Sequence, residues 1–254
     1  MFLETMKWPE VDKLDRHDVI AVCCISALEQ HSLHLPLGTD DVIGSGILRR
    51  LEERMPNRLL CLPTVWLGCS SHHLSFAGTM SASTKTMHRV IRDVASSIIR
   101  HGFGKILFLN SHGGNRAALA CSIQELGHEF PDAGIVGATY WEVVNKELSE
   151  IRDTEFGGMG HACELETSIM LALAGELVDM SKAEQDGIPA ISGFSRAEML
   201  ADATVAIYKP FTEISRHGGY GDPRSASAQK GERFLGVIVT GLEALCGDLL
   251  AGRM

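Results

Sequence analysis

Two kinds of segment alternate along the 254-residue chain. One is a short continuous apolar run, and the other is a longer segment whose apolar residues recur at helical spacing. Short apolar runs bounded by charged or turn residues predict four buried strands, at residues 19–25, 58–67, 105–110 and 134–141. Apolar residues at helical spacing predict helices at residues 41–55, 84–101, 116–130 and 225–250. This alternation predicts an α/β fold with a mostly parallel central sheet covered by helices on both faces.

The remaining segments have weaker patterns. They are a Gly-, Ser- and His-rich loop at 68–83, a candidate lid or partner contact at 142–160, an irregular region at 179–195, a candidate strand at 204–211 and a glycine-rich loop at 216–224. Long loops in compact domains are usually functional. Because no composition shift, repeat or low-complexity segment marks a boundary, we expect one domain over residues 1–254.

Acidic and histidine side chains are concentrated in three motifs at the ends of predicted elements. The first follows the strand at 19–25 and contains Glu29, His31, His34, Asp40 and Asp41. The second follows the strand at 105–110 and contains His112, Gly113, Gly114 and Asn115, the last of which is placed to cap the next helix. The third opens a helix that continues to residue 174, and it contains His161, Cys163, Glu164 and Glu166.

These motifs predict a metal site. The carboxyl ends of strands in an open α/β sheet are where ligands bind, and buried charges there need partners. A divalent cation is the simplest partner for Glu29, His31 and Asp40 together, although an ordinary polar loop is the alternative. Mixed nitrogen and oxygen donors suit Zn²⁺, Mn²⁺ or Fe²⁺ better than Ca²⁺, and a bridging carboxylate can hold two ions ~3.5–4 Å apart. His34 is placed either to bind the ion or to orient a ligand.

The motifs resemble those of the creatininase (creatinine amidohydrolase) family over residues 17–250. The resemblance is carried by four stretches, Glu29-Gln30-His31-x-x-His34-Leu35-Pro36-Leu37-Gly38-Thr39-Asp40, Asn110-x-His112-Gly113-Gly114-Asn115, His161-Ala162-x-x-x-Glu166-Thr167-Ser168 and Gly221-Asp222-Pro223. It implies a three-layer α/β/α fold, two divalent metal ions (Zn or Mn, with Fe as a further option) and hydrolysis of carbon–nitrogen bonds in cyclic or linear amides. It also implies a homo-oligomer, specifically a hexamer.

Carried over position by position, the resemblance implies roles for five residues. Glu29, His31, Asp40 and His112 are the expected metal ligands, with Asp40 bridging the two ions. His161 is the expected catalytic residue, which transfers a proton near the substrate.

The chain departs from creatininase at two places. Creatininase has Tyr-Glu where this chain has Gly113-Gly114, and that Glu binds metal, so we expect Glu166 to replace it, with Glu164 as the alternative. Creatininase also has Trp where this chain has Gly157, four residues before the motif histidine. Both differences argue against creatinine as the substrate. The Gly113-Gly114 version resembles the family's other branches, which include a formamidopyrimidine deformylase, a peptide-processing enzyme and a hydrolase that opens a diketo-inositol ring.

The sequence therefore suggests a metal-dependent hydrolase of a small cyclic amide or formamide that uses metal-activated water. The alternatives are a hydrolase that opens a keto-inositol ring and a non-catalytic, metal-binding oligomeric scaffold. A two-metal phosphoesterase has less support because no basic cluster awaits a phosphate. His72, His73 and Trp141 are candidate substrate contacts, with a surface or packing role as the alternative for the histidines and core packing as the alternative for Trp141. Arg216 and His217 are candidates for binding substrate or a neighbouring subunit.

Composition narrows the partners and the compartment. The net charge is −9 without a basic stripe, which disfavours binding to nucleic acid and leaves a small molecule as the expected substrate. Seven cysteines without a C-x-x-C pair suggest reduced thiols in the cytoplasm. Cys163 lies among acids, where a reactive thiolate is disfavoured. We expect no secretory signal and no membrane span, since no apolar run approaches ~20 residues.

Overall fold

Four parallel strands form the central sheet of the computed structural model, which describes residues 1–187, 190–192, 195–196, 198–201 and 205–254. In chain order they are β1 (Ile20–Ile25), β2 (Leu59–Cys61), β3 (Lys105–Asn110) and β4 (Gly134–Thr139). Their order across the sheet is β2-β1-β3-β4. The pairing of Ile25 with Asn110 brings the carboxyl ends of β1 and β3 side by side. The predicted parallel sheet is confirmed.

Helices cover both faces of this sheet, as a three-layer fold requires. They are α1 (Trp8–Asp12), α2 (Thr39–Arg54), α3 (Thr84–Arg100), α4 (Arg116–Glu129), α5 (Asn145–Ile151), α6 (Glu164–Ala174) and α7 (Ala228–Leu250). One core contains side chains of α2, α5, α6 and α7, and the other contains side chains of α3 and α4. Side chains alternate along a strand, so Val22 of β1 enters the first core and Cys23 enters the second.

The edge of the sheet differs from the prediction at 58–67, where β2 is shorter. Pro63 has no backbone N–H and cannot continue the ladder. The N–H groups of Leu62 and Val65 nevertheless donate to the carbonyls of Val22 and Cys24, at 2.8 and 2.9 Å. The chain therefore still follows β1 as far as the sheet edge that carries the first motif.

The region between α6 and α7 also differs from the prediction. The strand expected at 204–211 is wrong for residues 205–211, which contain no strand; residue 204 lies outside the described part. The expected irregular region at 179–195 includes β5 (Ala190–Ser192), which pairs with β6 (Ser195–Arg196) as an antiparallel hairpin. Residues 188, 189, 193 and 194 of that region lie outside the described part.

The last helix closes the first core. α7 buries Phe234, Ile238 and Leu242 completely, and it crosses α6 closely enough that a side chain at Gly231 would overlap the carbonyl oxygen of Ser168. Within the ranges that the structure describes, no helix has both the length and the apolar character that a bilayer crossing demands.

Candidate metal centre

The first two motifs meet because they follow neighbouring strands. The N–H of Ser111, just after β3, donates to the carbonyl of Ile25 in β1 at 3.0 Å, so the two chain paths remain together beyond the sheet. Asn115 then links them to the 68–83 loop, since it accepts from the N–H of Cys69 at 2.8 Å and donates to the carbonyl of Ser26 at 3.0 Å. Asn115 occupies the N-cap position of α4 as predicted, but its side chain makes no capping hydrogen bond because these two bonds use its amide.

The segment between β1 and α2 folds back on itself and brings its acidic ends together. The N–H of Glu29 donates to the carbonyl of Leu37 at 3.1 Å. Helix α2 begins at Thr39, two residues before the predicted start, and Asp40 therefore lies in its first turn. An acidic side chain is favoured there by the helix dipole.

Four predicted ligands form one buried cluster, in which Asp40 occupies the middle. Its Oδ1 lies 3.4 Å from Nε2 of His31, and its Oδ2 lies 3.2 Å from Nδ1 of His112. The same Nδ1 of His112 is 3.3 Å from Oε1 of Glu29. No side chain of the four is more than 3% exposed. Asp40 thus presents one oxygen to each histidine.

The third motif reaches the cluster from a different layer. His161 precedes the first turn of α6 and exchanges backbone hydrogen bonds with Tyr220, at 2.6 and 2.8 Å. Ala162 adopts a left-handed conformation, with φ of 52°. Its N–H donates to Oε2 of Glu166 at 2.6 Å, which turns that carboxylate back towards the start of the helix.

Glu166 joins the cluster and Glu164 does not. One ligand atom each from His31, Asp40 and Glu166 lie within 4.8 Å of one another. Glu164 instead forms a buried ion pair with Lys230 and accepts from backbone N–H groups at residues 153 and 154, each at 2.9 Å. Glu164 therefore fastens the chain ahead of α6, while Glu166 faces the candidate metal centre.

Gln30, to which the first motif assigned no separate role, orients two histidines. Its carbonyl accepts from Nε2 of His161 at 2.7 Å, which leaves Nδ1 of that ring free on the side of Glu29. Its side-chain Nε2 donates to Nδ1 of His73 at 2.6 Å and to the carbonyl of Gly218 at 2.8 Å. His73 can then donate through Nε2 towards Oε1 of Glu29, 3.3 Å away. The signal in the sequence was its position between two predicted ligands.

The chemistry of the cluster fits cations. Burial alone would raise the pKa of Asp40, but the His31 imidazole holds it below its usual range. Burial alone would lower the pKa of His31, but the charge of Asp40 raises it to about 9. Burial also raises the pKa of the Glu166 carboxyl group, to about 7. Within the described chain, Oε2 of Glu29, Nε2 of His31 and Oδ2 of Asp40 have no hydrogen-bond partner. A metal ion would take the place of the protons on His31 and Glu166, because metal ions bind carboxylates and neutral imidazoles.

A cleft of about 420 Å³ opens directly onto this cluster, with Glu29, Asp40, His112, His161 and Glu166 in its lining. Trp141, which is 4% exposed, forms part of its wall, as does the predicted substrate contact His73. Phe211 also lines the cleft, with its ring centroid 4.0 Å from that of His73 and 5.1 Å from that of His161. No sequence pattern indicated a role for Phe211, which lies in the segment 204–211 predicted as a strand.

The other residues that the sequence singled out lie outside the cluster. Nε2 of His34 is 2.9 Å from the Thr167 hydroxyl, and burial lowers the pKa of His34 to about 4. Burial raises the pKa of the Cys163 thiol to about 12, so this cysteine remains protonated in the core. The side chain of Arg216 is exposed and is not part of the cleft lining.

The segment at 142–160, predicted as a lid or partner contact, is tied to the rest of the fold at several points. Leu148 of α5 is completely buried. Arg152 forms an ion pair with Glu198 at 3.0 Å, and the other oxygen of Glu198 accepts from the N–H of Gly157 at 2.6 Å. Glu198 also lines the cleft. These bonds connect the position of Gly157 to the cleft wall.

Comparisons with known proteins give relatives along nearly the whole chain. The model of the family described as "Creatininase: Creatinine amidohydrolase" matches residues 4–246. The mycofactocin precursor peptide peptidase of Mycobacterium ulcerans is 30% identical over 85% of this chain and 79% of that protein. The creatinine amidohydrolase of Pseudomonas putida is 25% identical over 95% of this chain and 94% of that protein. A 3-dehydro-scyllo-inosose hydrolase of Thermotoga maritima is 23% identical over 98% of this chain and 84% of that protein.

Solved structures agree with this assignment. One solved structure is that of a candidate creatinine amidohydrolase from Bacteroides fragilis. It has a TM-score of 0.81 and is 27% identical, and the match covers 98% of this chain and 96% of that one. Creatininases described as a Zn-Zn type and as a manganese form share the fold at 24% identity, with TM-scores of 0.82 and 0.81 over 96% of each chain. The family match and the shared fold confirm the resemblance, and the chain belongs to the creatininase family of hydrolases.

Proposed function

We propose that the protein hydrolyses a carbon–nitrogen bond in a small cyclic amide or formamide with the help of two divalent metal ions. The observation that carries this proposal is the placement of Asp40, whose two oxygens face His31 and His112 separately. A carboxylate in that position suits a bridge between two ions. Zinc and manganese are the proposed metals, because solved creatininases of this fold include zinc and manganese forms, with iron as a further option.

The chain supplies two sets of ligands. His31, Asp40 and Glu166 would hold one ion. Glu29, Asp40 and His112, which are linked by the distances of 3.2 and 3.3 Å, would hold the other. When bound, such ions supply an activated water and polarise the carbonyl of the substrate.

His161 is the proposed residue for transferring a proton from the activated water. Because the Gln30 carbonyl can only accept, Nε2 of His161 carries hydrogen and Nδ1 has a free lone pair. Burial lowers the pKa of His161 to about 3, so the ring is neutral at neutral pH and Nδ1 is unprotonated. We assign His161 the transfer of that proton to the leaving nitrogen. His73 and Trp141, both in the cleft wall, are the proposed substrate contacts.

The cleft supports a small substrate. Its volume of about 420 Å³ is in the range typical of small-molecule sites. Gly113 and Gly114 line the cleft, and the N–H of Gly157 donates to Glu198 of its wall. Creatininase differs at all three positions, which argues against creatinine itself. Ring opening of a keto-inositol is the second candidate, favoured by the similarity to the Thermotoga maritima hydrolase. Cleavage of a short peptide is a third, favoured by the peptidase of Mycobacterium ulcerans.

A turnover screen with metal-reconstituted protein tests the proposal. The substrates are creatinine, formamidopyrimidines, keto-inositols and short peptides, each assayed after chelation and again after addition of Zn²⁺ or Mn²⁺. We expect chelation to abolish turnover and one of the metals to restore it. Turnover that persists without metal would remove the ions from the mechanism.

Two neighbouring aspartates provide a matched pair of variants. Asp40→Asn removes the proposed bridge and should abolish turnover. Asp41→Asn changes the next residue, which faces the Ser26 hydroxyl at 3.3 Å instead of the histidines, and should leave most of the activity. If Zn²⁺ binds but no substrate in the screen is hydrolysed, the scaffold alternative gains support.

We also propose a homo-oligomer, with a hexamer as the specific expectation from the family resemblance. Near the first motif, the apolar side chains of Leu33 and Leu37 are 48% and 36% exposed. An assembly would give such a surface a partner. Native mass spectrometry measures the number of subunits, and a monomer at micromolar concentration would contradict this proposal.

A further inference from the structure

The imidazole of His72 lies beside the candidate metal centre, where it contacts other rings but makes no hydrogen bond or ion pair with a described residue. Its ring is stacked with that of His112, with centroids 5.9 Å apart and planes 13° apart. It also contacts the rings of His73 and Phe211, at centroid distances of 4.2 and 5.6 Å. Among the described residues, neither ring nitrogen of His72 has a hydrogen-bond or ion-pair partner, although the side chain is only partly exposed.

Gly114 makes room for this ring. A Cβ atom added to Gly114 would lie 3.0 Å from Cε1 of His72 and 2.5 Å from Nε2 of His112, and it would overlap the carbonyl oxygen of Cys69. Any larger side chain at this position would therefore displace one of the two imidazoles. The absence of a side chain at 114 and the presence of histidine at 72 fit one another.

The nitrogen of His72 is within reach of an ion in the cluster. One ligand atom each from Glu29, His72 and His112 lie within 4.8 Å of one another. Ligands at ~2.0–2.1 Å from a zinc ion are separated by up to about 4 Å, so modest movement of the side chains would close such a set around one ion. The loop at 68–83 is fixed close by, through the bond between Cys69 and Asn115.

We infer that His72 is a further metal ligand, which completes the coordination of the ion held by Glu29, Asp40 and His112. The inference rests on the proposed two-metal function and extends it, because neither the motifs nor the family resemblance assigned a ligand to the 68–83 loop. The ion would be a divalent cation that accepts mixed nitrogen and oxygen donors, such as Zn²⁺ or Mn²⁺.

The test separates a donor atom from a ring that only packs. His72→Phe keeps an aromatic ring for stacking on His112 but has no ligand atom. His72→Gln loses the ring but keeps a neutral oxygen donor of similar reach. His88→Phe is the control, because His88 lies on α3 and bonds to Ser122 and Glu125 instead of the cluster. The measurement is the number of zinc ions bound and their dissociation constants, determined by calorimetry on the full chain after chelation.

A ligand role predicts that His72→Phe lowers the affinity for one of the two ions by about 100-fold, whereas His72→Gln lowers that affinity by only about tenfold. A packing role predicts the reverse order, and that result would overturn the inference. Two ions bound by His72→Phe with unchanged affinity would overturn it as well, while leaving the two-metal centre intact. Wild-type protein that takes up no zinc would overturn both the centre and the ligand.

Discussion

Glu164 and Glu166 are two residues apart and both are buried, yet the structure gives them opposite tasks. Glu164 accepts from the Thr154 hydroxyl at 2.6 Å and from backbone N–H groups, and it pairs with Lys230. Glu166 faces the candidate metal centre with His31. We therefore expect substitutions of Glu164 to affect folding stability and substitutions of Glu166 to affect metal binding.

The cost of Glu164→Ala follows from what it leaves behind. Lys230, whose side chain is only 8% exposed, loses its buried partner, although Asp153 stays at 2.7 Å. The backbone N–H of Thr154 loses its acceptor too. Removing one partner of a buried ion pair costs about 3–5 kcal/mol of unfolding free energy. For a chain of this length that corresponds to a fall in Tm of about 6–20 °C.

The pH dependence has a definite sign. Burial alone would raise the pKa of Glu164, but the bonds from Lys230 and Thr154 hold it below its ordinary value of 4.5. A carboxyl group whose pKa is lowered by folding stabilises the protein above its unfolded pKa, and this stabilisation is lost as the pH falls through the folded pKa. The difference in stability between wild type and Glu164→Gln should therefore be full above about pH 4.5 and shrink below it.

Glu166→Gln provides the contrast in the same helix turn. Burial raises the pKa of Glu166 to about 7, so its charge opposes folding of the metal-free protein above that pH. The glutamine variant should be at least as stable as wild type at pH 8 without metal, and its oxygen can still accept from the N–H of Ala162. With added Zn²⁺, wild type should gain stability, about 2.7 kcal/mol at 100 times the dissociation constant, and the variant should gain much less.

The assay for both variants is chemical denaturation with and without Zn²⁺, from pH 4 to pH 8, together with the bound metal content. A Glu164 variant that keeps wild-type stability but loses one ion would refute this division of tasks between Glu164 and Glu166. So would a Glu166 variant that unfolds more readily than wild type in the absence of metal while still binding two ions.

Two further predictions concern Gln30 and the helix packing. Gln30→Leu should lower kcat by about 10–100-fold at unchanged metal content, because His73 loses the donor that fixes which of its ring nitrogens is protonated. NMR of the His73 ring would show the altered protonation, and an unaltered kcat would contradict the prediction. Gly231→Ala should destabilise the protein by about 1–3 kcal/mol because the added carbon overlaps the Ser168 carbonyl. In the same helix Gly236→Ala has no neighbour within 4 Å and should stabilise it by up to about 1 kcal/mol, so equal effects in denaturation curves would contradict the packing argument.

Local patterns were sufficient for the helix and the strand that precede the second motif. The β3 strand occupies the predicted residues 105–110, and the helix at 84–101 ends one residue early, at Arg100. Such segments are predictable because side-chain burial repeats every second residue in a strand and about every 3.6 residues in a helix. Acidic and histidine residues at strand ends likewise indicated the cluster, since parallel strands end at one edge.

The tertiary structure decided which residue takes a role when the local sequence offers two equally suitable candidates. Spacing could not choose between Glu164 and Glu166, because the choice depends on Lys230 at the start of α7 and on the left-handed turn at Ala162. It also could not show Phe211 beside His161, or His72 above Gly114. These contacts join segments that are distant along the chain. The sequence by itself determined most strands of the sheet, the long helices that cover it and the chemistry at their ends, whereas only packing between layers determined which side chains share one buried, charged cavity.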